Sequence, residues 1–171
     1  TGSPADYKAE ADVLRVKVKP EAMEMHELFM IGFRQVTSNS AVMTLEWEKL
    51  SVPIHLAVDT NALFLANAKE AVARAKPDDW RTPLTAARYL YDNKHAPADA
   101  AVFLDKSLSV KETFANLSTK AGVLAGEGKK KEAVAAGQKA LTMKDAEPKP
   151  SPEAVADLEK KVAEWKAARQ P

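Results

Sequence analysis

When the sequence is shifted by 33 residues, its second half falls on itself. Leu84 aligns with Leu117, Tyr91 with Leu124, Ala100 with Ala133, Lys106 with Lys139 and Leu108 with Leu141, and KSLS at 106–109 overlies KALT at 139–142. Nothing else in the chain narrows its folding options as much. A helical unit of about 34 residues cannot bury its apolar face alone, so copies of it must stack on one another. Tetratricopeptide-like helical hairpins are therefore expected. Ala121 and Ala133 suit a close approach of paired helices, and Gly128 suits the turn between them. Arg88, which aligns with Ala121, departs from that small-residue preference and predicts a looser or differently angled first pair.

Six helices are expected, near 60–75, 82–93, 97–108, 110–125, 129–143 and 152–168. Proline at a first helical position marks three starts, at Thr82-Pro83, Ala96-Pro97 and Ser151-Pro152. Ser109 to Glu112 has capping-box spacing. Gly126 and Gly128 mark a helix end, and DAEPKPSP at 145–152 reads as a linker. The last helix carries Val155, Leu158, Val162 and Trp165 on one stripe, with Glu159, Lys160, Lys161 and Lys166 behind it. That is the pattern of a helix that caps a stack.

Before residue 59 the period is two. DVLRVKVKP at 12–20 alternates cleanly, with Leu14, Val16 and Val18 on one side and Arg15, Lys17 and Lys19 on the other, which predicts a strand at 13–19. Further strands are expected at 26–36, 41–49 and 51–58, with a turn at TSNS, 37–40. Pro53 places the last at an edge or beside a bulge. Tight connections imply antiparallel pairing. The expected fold class is α+β: a small antiparallel β-portion of about four strands over 1–58, half of a larger sheet, then tetratricopeptide-like helical hairpins and a capping helix over 59–171. An open edge with Met43, Leu45 and Trp47 uncovered would invite pairing with another chain.

The net charge of +1 gives no whole-chain field toward nucleic acid. No apolar run reaches the length of a membrane span. With no cysteine, disulfides, thiol catalysis and thiolate metal sites are excluded. The three histidines, His26, His55 and His95, are not spaced as metal ligands, so no metal and no cofactor is expected. His55 reads as solvated and His95 as a turn residue. Glu46 and Glu48 flank Trp47 at the spacing of a carboxylate pair on one strand face, but a solvated sheet face explains them better. Asp78 and Asp79 read as favourable charges at a helix start. Lys129, Lys130 and Lys131 read as a solvated cluster. No nucleophile elbow, phosphate loop, zinc helix or calcium loop occurs.

Several segments resemble a known family. DVLRVKVKP, LEWEKLSVPIHLAVDTNALFLANA, KPDDWRTPLTAARY and LDKSLSVKETFANLSTKAGVLAGEGKKKEAV are together similar to the C-terminal portion of the bacterial exported family called domain of unknown function 2911. The resemblance runs over roughly residues 11 to 168. It implies a signal peptide and a further β-rich stretch upstream, and a periplasmic or otherwise exported setting. It implies no activity and no catalytic residues.

The reading that follows is a non-catalytic cell-envelope protein that binds a protein or peptide, with Trp80, Tyr91 and Arg88 as partner-binding residues. The missing upstream β-segment or a second copy is a further expected partner. The alternative is a hydrolase or carbohydrate-binding protein whose site lies between the β-portion and its missing half, using Glu46, Glu48 or His26.

Overall fold

The computed structural model describes residues 7–167. The chain divides into a hairpin unit ending at Thr60 and a helical unit beginning at Asn61. The class is α+β, an antiparallel two-stranded hairpin followed by six helices packed in pairs.

In the hairpin unit, β1 (Glu21–Arg34) pairs antiparallel with β2 (Ser40–Ala57). The expected TSNS turn joins them. Thr37 Oγ1 accepts the N–H groups of Asn39 and Ser40, at 3.3 and 3.0 Å, the hydroxyl-to-backbone bonding that suits threonine to turns. Four separate strands were expected, and two of them, 41–49 and 51–58, form the single element β2. It does not run straight. Eighteen extended residues would span about 60 Å, yet the N–H of Val58 donates to the C=O of Asn39 at 2.9 Å. The two ends of β2 meet, and the chain bends back at Glu48, whose φ is 52°.

The apolar alternation changes phase at that bend, from Met43, Leu45 and Trp47 to Leu50, Val52, Ile54 and Leu56. β1 takes the outer track: its 14 residues face only Val42–Ser51, and the register slips between Ala22 and His26 and again between His26 and Met30. Extra residues on the longer side of a bend are what β-bulges supply.

The segment DVLRVKVKP corrects the sequence reading. It is not a strand, and Val13, Leu14, Val16 and Val18 all lie exposed. Alternation defines a face, but a strand forms only where a neighbour takes its N–H and C=O groups. No ladder partner for this segment is present among the described residues.

The helices are α1 (Thr60–Arg74), α2 (Arg81–Asp92), α3 (Pro97–Val110), α4 (Phe114–Gly126), α5 (Lys130–Leu141) and α6 (Pro152–Ala167). α4 begins 33 residues after α2, and α5 begins 33 after α3, as the repeat requires. α2 packs on α3, α4 on α5, and α6 on α5. Short connections fold each pair back on itself. One core gathers Ala68 and Val72 of α1 with Trp80, Leu84, Leu90, Phe103 and Leu104. A second joins Phe114, Leu117, Val134, Leu158 and Val162. Leu108 touches both.

The ends are set locally. Asp79 caps α2: its carboxylate accepts the N–H groups of Arg81 and Thr82 at 2.9 and 3.0 Å and the Thr82 hydroxyl at 2.7 Å. The Thr82 hydroxyl bond, with the Thr82 N–H next, holds this carboxyl below its ordinary 3.8. The capping box expected at Ser109–Glu112 lies four residues on. Thr113 and Asn116 exchange backbone and side-chain bonds there, while the Ser109 hydroxyl donates to the Lys106 C=O inside α3. The helix expected from 110 therefore begins at Phe114.

A buried polar clamp ties the first pair to the second. The Ser107 hydroxyl donates to the Trp80 C=O at 2.7 Å, and Asn116 Nδ2 donates to Ser107 Oγ and to the Lys111 C=O at 3.1 and 2.8 Å. Asn116 Oδ1 accepts the Thr113 N–H at 2.8 Å. Ser107, Thr113 and Asn116 lie out of water, so bonds among them are costly to leave unmade.

The repeat is not identical in its two copies. Ala121 and Ala133 are fully buried, as expected of a close seam. In α2 the equivalent place is taken by Ala87, also fully buried, and Arg88 turns outward. Leu104 of α3 aligns with Gly137 of α5. A Cβ at Gly137 would lie 2.5 Å from Val162 Cγ2 and 3.7 Å from Ala121 Cβ, so glycine there lets α6 sit against α5. In the turns, Gly128 (φ 78°) corresponds to Lys94 (φ 51°) and not to His95. The bonds Lys129 N to Leu124 O and His95 N to Leu90 O fix that equivalence, both at 2.9 Å.

Candidate functional site

Alternate helices α2, α4 and α6 share one side of the helical unit and enclose a groove of about 900 Å³. The sequence builds this face by spacing. Ala115, the adjacent Ser118 and Thr119, Gly122 and Gly126 fall on successive turns of one α4 face and form a floor of small side chains. Cβ atoms added at Gly122 or Gly126 would meet nothing within 4 Å, so the space above them is open. Tyr91 of α2 stands on one side, with Leu158 and Trp165 of α6 on the other.

The groove carries both signs of charge. Arg88, Lys94 and Lys161 line it, as do Asp92, Glu127 and Asp157. Lys161 pairs with Asp157 at 2.7 Å and Glu127 with Lys129 at 3.0 Å. Arg88 Nε donates to Thr119 Oγ1 at 3.1 Å, which anchors the guanidinium across from α2 to α4. Burial pushes the Tyr91 phenol up, and the carboxylates of Glu127 and Asp105 push it the same way. Tyr91 thus stays a neutral hydrogen-bond donor at physiological pH.

Of the three residues expected to contact a partner, Arg88 and Tyr91 line this groove. Trp80 does not. It is 8% exposed and packed in the first core, with the Arg81 guanidinium 4.5 Å over its ring. The partner-contacting role expected of Trp80 is therefore corrected: it is a core residue packed with α1, α2 and α3. Trp165 was read only as part of a capping stripe. Its neighbours Leu158 and Val162 are buried, whereas Trp165 keeps a partly exposed ring on the groove. Its place at the end of the stripe was the available signal, since the last residue of an amphipathic face is the least covered.

The hairpin unit has a second, smaller concavity of about 240 Å³, lined by Glu21, Arg34, Gln35, Val42, Thr44, Ser51, Pro53 and His55. Glu46 lies on the same face and is 1% exposed. Arg34 Nη2 is 2.7 Å from its Oε1 as an ion pair, and Oε1 accepts no hydrogen bond. His26 Nδ1 is 3.7 Å from Oε2. Glu48 occupies the exposed bend. The solvated face expected for both carboxylates is thus corrected for Glu46, which is buried and ion-paired, while Glu48 stands at a turn in water. Among the described residues, no three or more His, Asp or Glu side chains are placed to hold a metal.

A family model described as Protein of unknown function (DUF2911) matches residues 1–56. The match takes in the hairpin and stops before the helices, which follow as packed pairs. No curated protein and no solved structure matches the chain. No helix among the described residues is long and apolar enough to cross a membrane.

Proposed function

We propose that this is a non-catalytic cell-envelope protein that holds a peptide or protein segment in the groove between α2, α4 and α6. The observation that carries the reading is the groove itself: a small-residue floor on α4, with Tyr91, Arg88 and Trp165 around it. Aromatic and arginine side chains at the centre of a concave surface are the usual source of binding energy. The equal 33-residue offsets of α2 to α4 and α3 to α5 support a tetratricopeptide-like stack, in which the first helix of each pair and the capping helix line one concave side. The exported setting rests on the resemblance of the chain's segments to the exported family.

The hydrolase or carbohydrate alternative draws on the polar concavity of the hairpin, but Glu46 is already engaged by Arg34 and Glu48 stands apart from it.

Peptides selected from a displayed random library on the full chain test the groove. Tyr91→Ala and Trp165→Ala should each weaken the selected peptides about tenfold, the loss of roughly 1.4 kcal/mol. Arg88→Ala should weaken those with an acidic residue most. Equal binding by wild type and a Tyr91→Ala/Trp165→Ala double variant of unchanged helical circular dichroism would remove the groove from the proposal.

A further inference from the structure

Gly122 has no reason in the fold. It lies in the middle of α4, where glycine is the least favourable residue after proline. Gly137 is needed because a Cβ there would strike Val162, Gly128 has a φ of 78°, and Gly126 ends its helix. A Cβ at Gly122 would meet nothing within 4 Å. With Ser118 and Gly126 it makes an i, i+4, i+8 row, a furrow along the groove side of α4. Furrows of this kind seat the side-chain ridge of a second helix. Covering it strands no donor, because the Ser118 and Thr119 hydroxyls already donate to the Ala115 C=O at 3.0 and 2.8 Å.

Arg88 adds a charge that the groove leaves unanswered. Its Nε donates to Thr119 Oγ1 at 3.1 Å, which holds the guanidinium and leaves its outer Nη edge for a carboxylate. Asp157 and Lys161 pair with each other, and Glu127 pairs with Lys129. Among the described residues Arg88, Lys94 and Asp92 form no ion pair, so the groove has one positive charge in excess. We infer that the groove binds an amphipathic α-helix of a partner protein, with a ridge of its apolar face in the Ser118–Gly122–Gly126 furrow and an Asp or Glu on Arg88. This rests on the groove being the binding site proposed above. An extended segment alternates its side chains and presents no such ridge.

Two displayed libraries of equal length test this against the full chain. One randomises the exposed face of a helix in a stable two-helix scaffold; the other carries a proline at every fourth position, which bars a helix. Binders should come from the helical library and carry an acidic residue. Gly122→Leu should weaken them about tenfold. Gly122→Ala should weaken them about threefold while raising the melting temperature by about 4 °C, a split that a merely structural glycine would not produce. Arg88→Glu should weaken them about tenfold, and lysine in place of the binder's acidic residue should restore the loss. Proline-library binders that depend on Tyr91 and Trp165 would keep the groove as a binding site and overturn the helix. So would helical binders indifferent to Gly122→Leu, or a charge swap without rescue. A helical library that yields no binders overturns the inference as well. Binders of both kinds indifferent to Tyr91→Ala/Trp165→Ala would instead remove the groove, and the inference with it.

Discussion

The two units of this chain treat polar and apolar groups in opposite ways. In the helical unit leucines, alanines and phenylalanines fill two cores, and the buried polar groups Ser107, Thr113 and Asn116 are hydrogen-bonded to one another and to backbone. In the hairpin the most deeply buried side chain is a glutamate, while tryptophan, phenylalanine and isoleucine face water. The helical unit closes its own accounts of hydrogen bonds and apolar area. The hairpin does not, and an isolated two-stranded hairpin is at best marginally stable. Burial patterns within one chain can thus separate a part that folds by itself from a part shaped to be covered.

Replacement of Asn116 by alanine should have the largest effect. It leaves the Thr113 N–H buried without a partner and removes the amide bonds to Ser107 Oγ and the Lys111 C=O, and should cost about 3 kcal/mol in urea unfolding followed by circular dichroism at 222 nm. A loss under about 1 kcal/mol would mean that the clamp is wet, and the contrast between the units would weaken. Gly137→Ala comes next. Its Cβ must displace Val162, at a cost of about 2 kcal/mol, and hydrogen exchange should show α6 amides losing protection before those of α2. Gly122→Ala meets open space and serves as the matched control.

The smallest effect is expected in the hairpin. Glu46→Leu should change stability by less than about 1 kcal/mol, because a well-shaped apolar replacement for a buried ion is near neutral and Arg34 is exposed enough to be solvated. A large loss would show that Glu46 organises the hairpin as Asn116 organises the helices.

Much of the helical unit was legible from spacing. The six helices fall within a few residues of their expected spans, apart from the start of α4, because a 3.6-residue apolar stripe and a 33-residue repeat are local properties of the chain. Start signals were less reliable. Ser109–Glu112 and Thr113–Asn116 both have capping spacing, and only the fold decides which serine or threonine finds itself outside a helix. Tyr91 and Arg88 line the groove while Trp80 lies in the core, since a tryptophan before a helix looks the same in sequence whether its ring points inward or out. The hairpin was least legible. DVLRVKVKP alternates as well as any strand, and the phase change between Trp47 and Leu50 marked a reversal, but neither could say which partners were present.

The sequence by itself determined the helices, their pairing order and the apolar faces, because each depends on residues three, four or two positions apart. Tertiary structure alone decided three things: that α2, α4 and α6 share a groove, that Gly137 admits α6, and that Glu46 is buried while Trp47 is not. Those outcomes depend on which distant surfaces meet, and contact between distant surfaces is set by the summed packing of the whole unit, which no local pattern encodes.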